Sequence, residues 1–397
     1  MPIVVFVLAA AVFAQGTSEF MVSGLLEQIA VDVGVSLGSS GWLTSLFAAG
    51  MVVGAPVMVM AAGRLPVRNS VTVLLGLFCL AHVAAAATTG FSMLLVTRVV
   101  AALANAGFLA IVLATLPRLV VPAMLGRAST VVVSGVTVAC VAGVPAGTLL
   151  GQYWGWRAAF WAVAAVSAAL LVPVWVMLGD DVRDGLLPTR QEPTMLREWL
   201  VLRQGPVVGA VVAGILVNAA TFAAFIYFGA ITANTAGSGR WVPVVLALFG
   251  VGSFLGVTVT GRYSDRYQRR IILAGTGVLA GIWVLVAVTA HALIGLLVMS
   301  VVSGAVAFGV GSTLIATIVQ TATALAPRIC GALATTAVNI GAVLGPVTAG
   351  LVVDRIDRAT AALWCSAAFT TTAVGVVGVV MRRRGTRPVE QVRAGAR

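Results

Sequence analysis

Two ionisable side chains sit inside long apolar runs: Glu19, in the run that opens the chain, and Arg98, in the fourth. A charge at a bilayer centre costs at least about 2.5–3.5 kcal/mol, so such a residue is either functional or paired. Glu19 stands eight residues before Glu27, which reads as the outer end of the first span, and Arg98 eight after Gly90, the outer start of the fourth. At about 1.5 Å per residue both lie roughly 12 Å deep, which lets them meet as a pair or through a water. Burial favours the neutral acid of Glu19, whereas an adjacent guanidinium favours the carboxylate. A carboxyl poised in this way can take up a proton on one side of a membrane and release it on the other. A structural ion pair that fixes two helices is the competing reading.

Other polar groups are sparse. Asn105 falls on the Arg98 face two turns on, and its amide, like those of Asn218 and Asn339, can bind a ligand's hydroxyl or amide or a neighbouring helix. Phe108, Phe222 and Phe225, with Tyr227 and Phe228, can wall an apolar pocket or face lipid. Trp154, Trp156 and Trp161 read as interfacial anchors. His82 and His291 stand alone, no metal-ligand cluster is legible, and no nucleophile, base and acid form a triad. No enzyme, metal site or cofactor is expected.

The elements that carry these residues follow from composition. Of 397 residues, 60% are hydrophobic and 9% charged, against about a quarter charged in soluble domains, so the chain is an all-α membrane protein. Asp, Glu and Arg leave eleven uncharged runs of 17 residues or more. The run 271–327 would be about 85 Å of helix and must fold back once, near His291, which gives twelve transmembrane helices. Every basic residue is arginine; with no lysine there is no Walker A grip on a nucleotide, which excludes an ATP-driven pump in one chain. Of the 24 arginines, 19 fall in loops on the side of the two chain ends, so both termini are cytoplasmic. The net charge of +12 is therefore topological, and no nucleic-acid partner is expected.

The polar segment 179–205 divides the chain into an N-terminal six-helix bundle (1–178), a cytoplasmic linker, a C-terminal six-helix bundle (206–381) and a basic tail (382–397). The halves repeat: Gly63-Arg64 returns as Gly261-Arg262, and Pro145 as Pro346. Gly135, Ala139, Gly143, Gly147 and Gly151 form a four-residue ladder in the fifth span, matched by Ala337, Gly341, Gly345 and Ala349 in the eleventh. Such ladders let backbones approach closely and, with a proline, let helices slide or bend.

These motifs resemble those of the major facilitator superfamily. Gly261 to Arg270 is close to its loop signature Gly-x-x-x-Asp-Arg-x-Gly-Arg-Arg, with Asp265, Arg266 and Arg269 in place and Gln268 where the second glycine stands. The first-half copy keeps Arg64 and Arg68 and has no aspartate. Gly143, Pro145, Gly147 and Gly151 resemble the glycine-proline motif of its antiporters, echoed by Gly345 and Pro346. Gly155 to Trp161, Gly16 to Leu25 and Arg98 to Gly107 are similar to the twelve-span drug:proton antiporter branch, and in particular to chloramphenicol exporters of high-GC bacteria. The resemblance implies two pseudo-symmetric bundles around a central cavity and a monomer in the cell membrane. It also implies export of chloramphenicol or a related amphiphilic drug by alternating access, driven by the proton gradient. Export of a sugar or amino acid is the alternative within that fold, and a passive channel is disfavoured by the few pore charges.

Overall fold

Backbone N–H and C=O groups in hydrocarbon have no water to pair with, so each apolar run closes its hydrogen bonds within a helix. The computed structural model describes residues 1–62, 66–178, 199–323, 326 and 330–385. Among them are twelve helices long and apolar enough to cross a membrane, and no strand. They are α1 (Ile3–Val33), α2 (Trp42–Ala62, after a single turn Leu37–Ser40), α3 (Val67–Ala87), α4 (Phe91–Leu119), α5 (Pro122–Trp154) and α6 (Trp156–Met177). The second set is α7 (Gly205–Ala236), α8 (Gly239–Tyr263), α9 (Arg266–Thr289), α10 (Leu293–Thr323), α11 (Cys330–Ile356) and α12 (Ala361–Gly385). Arg64, linker residues 179–198, tail residues 386–397 and the side chain of Asp265 lie outside what is described.

The long run folds back where the spacing predicts, at the turn after Thr289 that holds His291, with the Ala292 N–H on the Thr289 carbonyl. Between α8 and α9 the chain stays nearly helical and breaks only at Tyr267, whose backbone is non-helical. Gly155, at φ 81°, makes the sharp passage from α5 to α6 that a residue with a Cβ would resist. The first span departs from expectation. Helix α1 runs through Glu27 to Val33, because one isolated carboxylate does not break a helix whose hydrogen bonds are otherwise complete. Glu19 is therefore about 21 Å from the Val33 end and about 24 Å from the Ile3 end, close to mid-helix.

Two bundles of six helices meet mainly where α1 packs on α7, α2 and the turn before it on α11, and α5 on α8. The last two exchange under a shift of six helices, which is the pseudo-twofold symmetry that the sequence repeat implies. The small-residue ladders act one level below, inside each half. Along α5, Gly135 faces the Ala9 carbonyl, Gly143 meets Thr17, Gly147 meets Met21 and Gly151 meets Leu25, all on α1. On α11, Gly341 faces the Ile215 carbonyl and Gly345 the backbone of Ala219 and Ala223 on α7. Pro145 offers no N–H to the carbonyl four residues earlier, and α5 relaxes into a π turn over Ala139–Gly143.

Packing this close leaves no room for a side chain. Gly345→Val forces α7 and α11 apart and should cost about 1–3 kcal/mol, read as a lower melting temperature of the purified protein. Gly281→Ala, with open space at its Cβ position, should leave the melting temperature unchanged or raise it.

Candidate functional site

On α1, Gln15, Ser18 and Glu19 share one helical face. Arg98 on α4 is 1% exposed and reaches across to this face. Its Nη1 donates to Ser18 Oγ (2.9 Å), its Nη2 to the Ser18 carbonyl (3.0 Å) and its Nε to the Leu43 carbonyl of α2 (3.4 Å). The guanidinium lies 4.3 Å from the centre of the Phe47 ring. Ser18 Oγ is also hydrogen-bonded to His82 Nε2 of α3, and His82 Nδ1 lies 2.7 Å from the Phe78 carbonyl. His82, fully buried and packed against Phe78 and Phe160, is thus not the isolated histidine that the sequence suggests.

Glu19 is half-buried and has no hydrogen bond or ion pair within 4 Å among the described residues. Arg98 and Cys140 lie within electrostatic reach of it. The two sequence-predicted charges are neighbours, but the guanidinium spends its hydrogen bonds on Ser18, one residue earlier. Gln15, one turn away on the same helix, is 1% exposed with both amide atoms unpartnered.

Beside Glu19 a narrow apolar crevice opens between the halves. Phe20 of α1 and Cys140 of α5 face Phe222 and Phe225 of α7, Phe249 of α8 and Phe308 of α10. The Phe20 ring centre lies 6.0 Å from that of Phe222 and 6.1 Å from that of Phe225, and Phe225 and Phe249 are 5.0 Å apart. The crevice has room for roughly one water molecule, so a larger guest requires these rings to part. Phe222 and Phe225 are among its walls, and Phe20 joins them. Phe108 is not: it is fully buried in the core of the N-terminal half with Val12, Leu74 and Ile111. Asn105 is buried on α4, while Asn218 donates to the Val338 carbonyl and Asn339 to that of Thr335, which ties both amides to the α11 backbone. Of the three tryptophans, Trp154 and Trp161 are exposed; Trp156 is buried and donates to Asp32, beside the Asp32–Arg157 ion pair.

The sequence profile of the Major Facilitator Superfamily matches residues 8–346. A chloramphenicol resistance protein of Streptomyces lividans is 43% identical over 376 residues, which cover 94% of this chain and 95% of that protein. The chain belongs to the Major Facilitator Superfamily. The inner membrane transport protein YdhP of Escherichia coli is 28% identical over 348 residues, 87% of this chain and 88% of that protein. Among solved structures, a variant of the nucleoside transporter NupG superposes with a TM-score of 0.78 over 95% of this chain and 99% of its own, at 13% identity. A bacterial homologue of the human lysosomal transporter Spinster gives 0.75 over 96% of both chains, at 15% identity. The chain is therefore a multi-pass membrane transporter of this superfamily.

Within that fold the halves are joined toward the face opposite the chain ends. Asp354 of α11 accepts from the Gly38 N–H (2.8 Å) and from Ser36 Oγ (2.7 Å), so that one carboxylate caps the turn before α2. Gly38 and Gly350 bring the two backbones into contact there, and a Cβ on either would strike the other's carbonyl. Nearby, Ser45 Oγ donates to the Val343 carbonyl (3.1 Å), and Gln152 Nε2 to the Gly239 carbonyl. Along α5 the segment Ala139–Trp154 packs on both α1 and α8, whereas Leu125–Val138 packs on α1 of its own half. At the opposite face, Gln268 donates from Nε2 to Thr317 Oγ1 and to Gln320 Oε1, both at 2.9 Å, and so ties the signature loop to α10. Arg266 and Arg270 flank the Tyr267 ring at 5.6 and 5.8 Å, and Arg68 stacks 3.7 Å over Trp175.

Asp354→Ala removes two charge-assisted hydrogen bonds and should weaken this closed contact by about 1 kcal/mol or more, roughly fivefold in population. Spin labels at Val33 and Thr235, in a background lacking the four native cysteines, should report a larger long-distance fraction in the variant.

Proposed function

We propose that this chain is a proton-driven exporter of chloramphenicol or a related amphiphilic drug. It works by alternating access in the cell membrane with both termini cytoplasmic. The observation that carries the substrate is the 43% identity, over nearly the full length of both chains, to a protein named for chloramphenicol resistance. The aromatic crevice supports it, since apolar walls with few polar groups suit an amphiphile carrying an aromatic ring. The excess of arginine on the side of the chain ends supports the orientation. The halves 1–178 and 206–381 are the moving units, and 179–205 is the linker between them.

Proton coupling is assigned to Glu19. Its carboxyl lies near mid-helix, beside the crevice and without a hydrogen-bond or ion-pair partner among the described residues, so it is free to gain and lose a proton as access changes. Drug and proton exclude each other when they compete for one neighbourhood, and linkage makes that antagonism reciprocal: the drug expels the proton, and the proton expels the drug. A contact closed on the far side, with Asp354 on Gly38, leaves the crevice to be approached from the cytoplasm. Drug enters there, Glu19 releases its proton, and the halves rock to expose the site outside, where a proton returns and drug leaves. The proton gradient supplies the energy, no cofactor takes part, and a monomer suffices.

Labelled chloramphenicol in cells lacking other exporters tests this directly. Accumulation should fall when the chain is expressed and recover when a protonophore is added; unchanged accumulation at verified expression would shift the assignment to a sugar or amino acid. Glu19→Gln should lower gradient-driven efflux by at least about tenfold while leaving downhill drug exchange in place.

A further inference from the structure

We propose that His82 and Ser18 are positioning residues that hold the Arg98 guanidinium off Glu19 in this conformation, an inference that rests on the proton-coupled reading above. The hydrogen-bond directions follow from the partners. The Phe78 carbonyl only accepts, so His82 Nδ1 carries the proton that faces it. A neutral ring then has a bare Nε2, which accepts the Ser18 hydroxyl proton. With that proton committed to His82, the lone pairs of Ser18 Oγ point to Arg98 Nη1, while the Ser18 carbonyl takes Nη2. A protonated His82 would donate to the same oxygen and set a second cation beside Arg98, in a site where both side chains are 1% exposed.

Guanidinium prefers a carboxylate to a hydroxyl, because the opposite charge adds a Coulomb attraction to the hydrogen bond that is stronger away from water than in it. A carboxylate is at hand on the next residue, yet Arg98 stays with Ser18. The holding geometry is what prevents the ion pair: His82 orients the hydroxyl, the Leu43 carbonyl takes Nε, and the Phe47 ring supports the guanidinium plane. Among the described residues, the titratable groups around Glu19 are Arg98 from α4, Cys140 from α5 and, through Ser18, His82 from α3. Of these, Arg98 is the cation that can change partner by a shift of one residue along α1. Held by Ser18, it leaves Glu19 free to keep a proton; moved to Glu19, it stabilises the carboxylate and drives the proton off.

The test is the titration of the Glu19 carboxyl, followed by infrared spectroscopy of the purified, full-length protein. Its C=O band is identified as the one lost in Glu19→Gln. Ser18→Ala and His82→Leu free Arg98 to pair with Glu19. An ion pair favours the charged form, so the pH at which the band half-disappears should move down, by about tenfold or more in proton concentration. His82→Gln, whose side-chain oxygen can accept from Ser18, should keep the wild-type midpoint. A role confined to helix packing would lower stability and leave the midpoint in place. The proposal is overturned if Ser18→Ala folds and titrates as wild type, or if His82→Gln moves the midpoint as far as His82→Leu. Chloramphenicol exchange, run in parallel, separates the two readings. A wild type that carries no drug but shows the shift overturns the functional assignment alone, and drug transport without the shift overturns the positioning role alone.

Discussion

A guanidinium buried at the heart of a membrane bundle, with no carboxylate among the described residues in contact, is the constraint around which the N-terminal half is arranged. Arg98 must be paid for in hydrogen bonds, and it donates them to two helices, to both oxygens of Ser18 on α1 and to a backbone carbonyl on α2, while His82 of α3 holds the serine hydroxyl in turn. Truncating any partner leaves a desolvated charge short of acceptors, and such losses are far more expensive than the net worth of one hydrogen bond. The same arrangement leaves Glu19 next to it with no ion pair among the described residues. The fold therefore fixes the α4 guanidinium on Ser18 and sets the Glu19 carboxyl on the next residue of α1.

Around that core, glycine and alanine set how closely helices approach and where they part. Inside each half the ladders of α5 and α11 press on α1 and α7. Between the halves, close backbone contact is concentrated where α2 meets α11 and where α5 meets α8. The interior joints of each bundle are thus tight, and the joints between bundles are few, polar at one end and related by symmetry. That distribution suits bodies that rock as units better than bodies that deform.

Much of this was legible in the sequence because it is written locally. Twelve spans, the reversal at His291 and the paired ladders each leave a mark within one helix, whether in run length, charge gaps or four-residue spacing. Glu19 and Arg98 were legible as charges in apolar runs. The missed features are pairings across the chain: His82 lies 64 residues from Ser18, and Asp354 is 316 from Gly38. A lone histidine and an aspartate at a helix end carry no spacing signal, and only the packing of α1 against α3 and of the turn before α2 against α11 reveals their partners. Trp156 was misread for the same reason, since its partner Asp32 is 124 residues away. The end of α1 lies beyond the boundary that the charge of Glu27 suggests, since a helix tolerates such a residue near its end. Phe108 shows the limit of aromatic content as a guide to a pocket: the half of the helix it occupies packs inward.

The central claim is that drug binding and the protonation of Glu19 exclude each other, and proton release on binding reads this without any gradient or membrane. Purified protein in lightly buffered detergent solution, mixed with chloramphenicol in the presence of a pH indicator, should release protons into the medium near neutral pH. Glu19→Gln should bind the drug and release none. Equal release from both proteins, or drug affinity in the wild type that does not change with pH, would contradict the account.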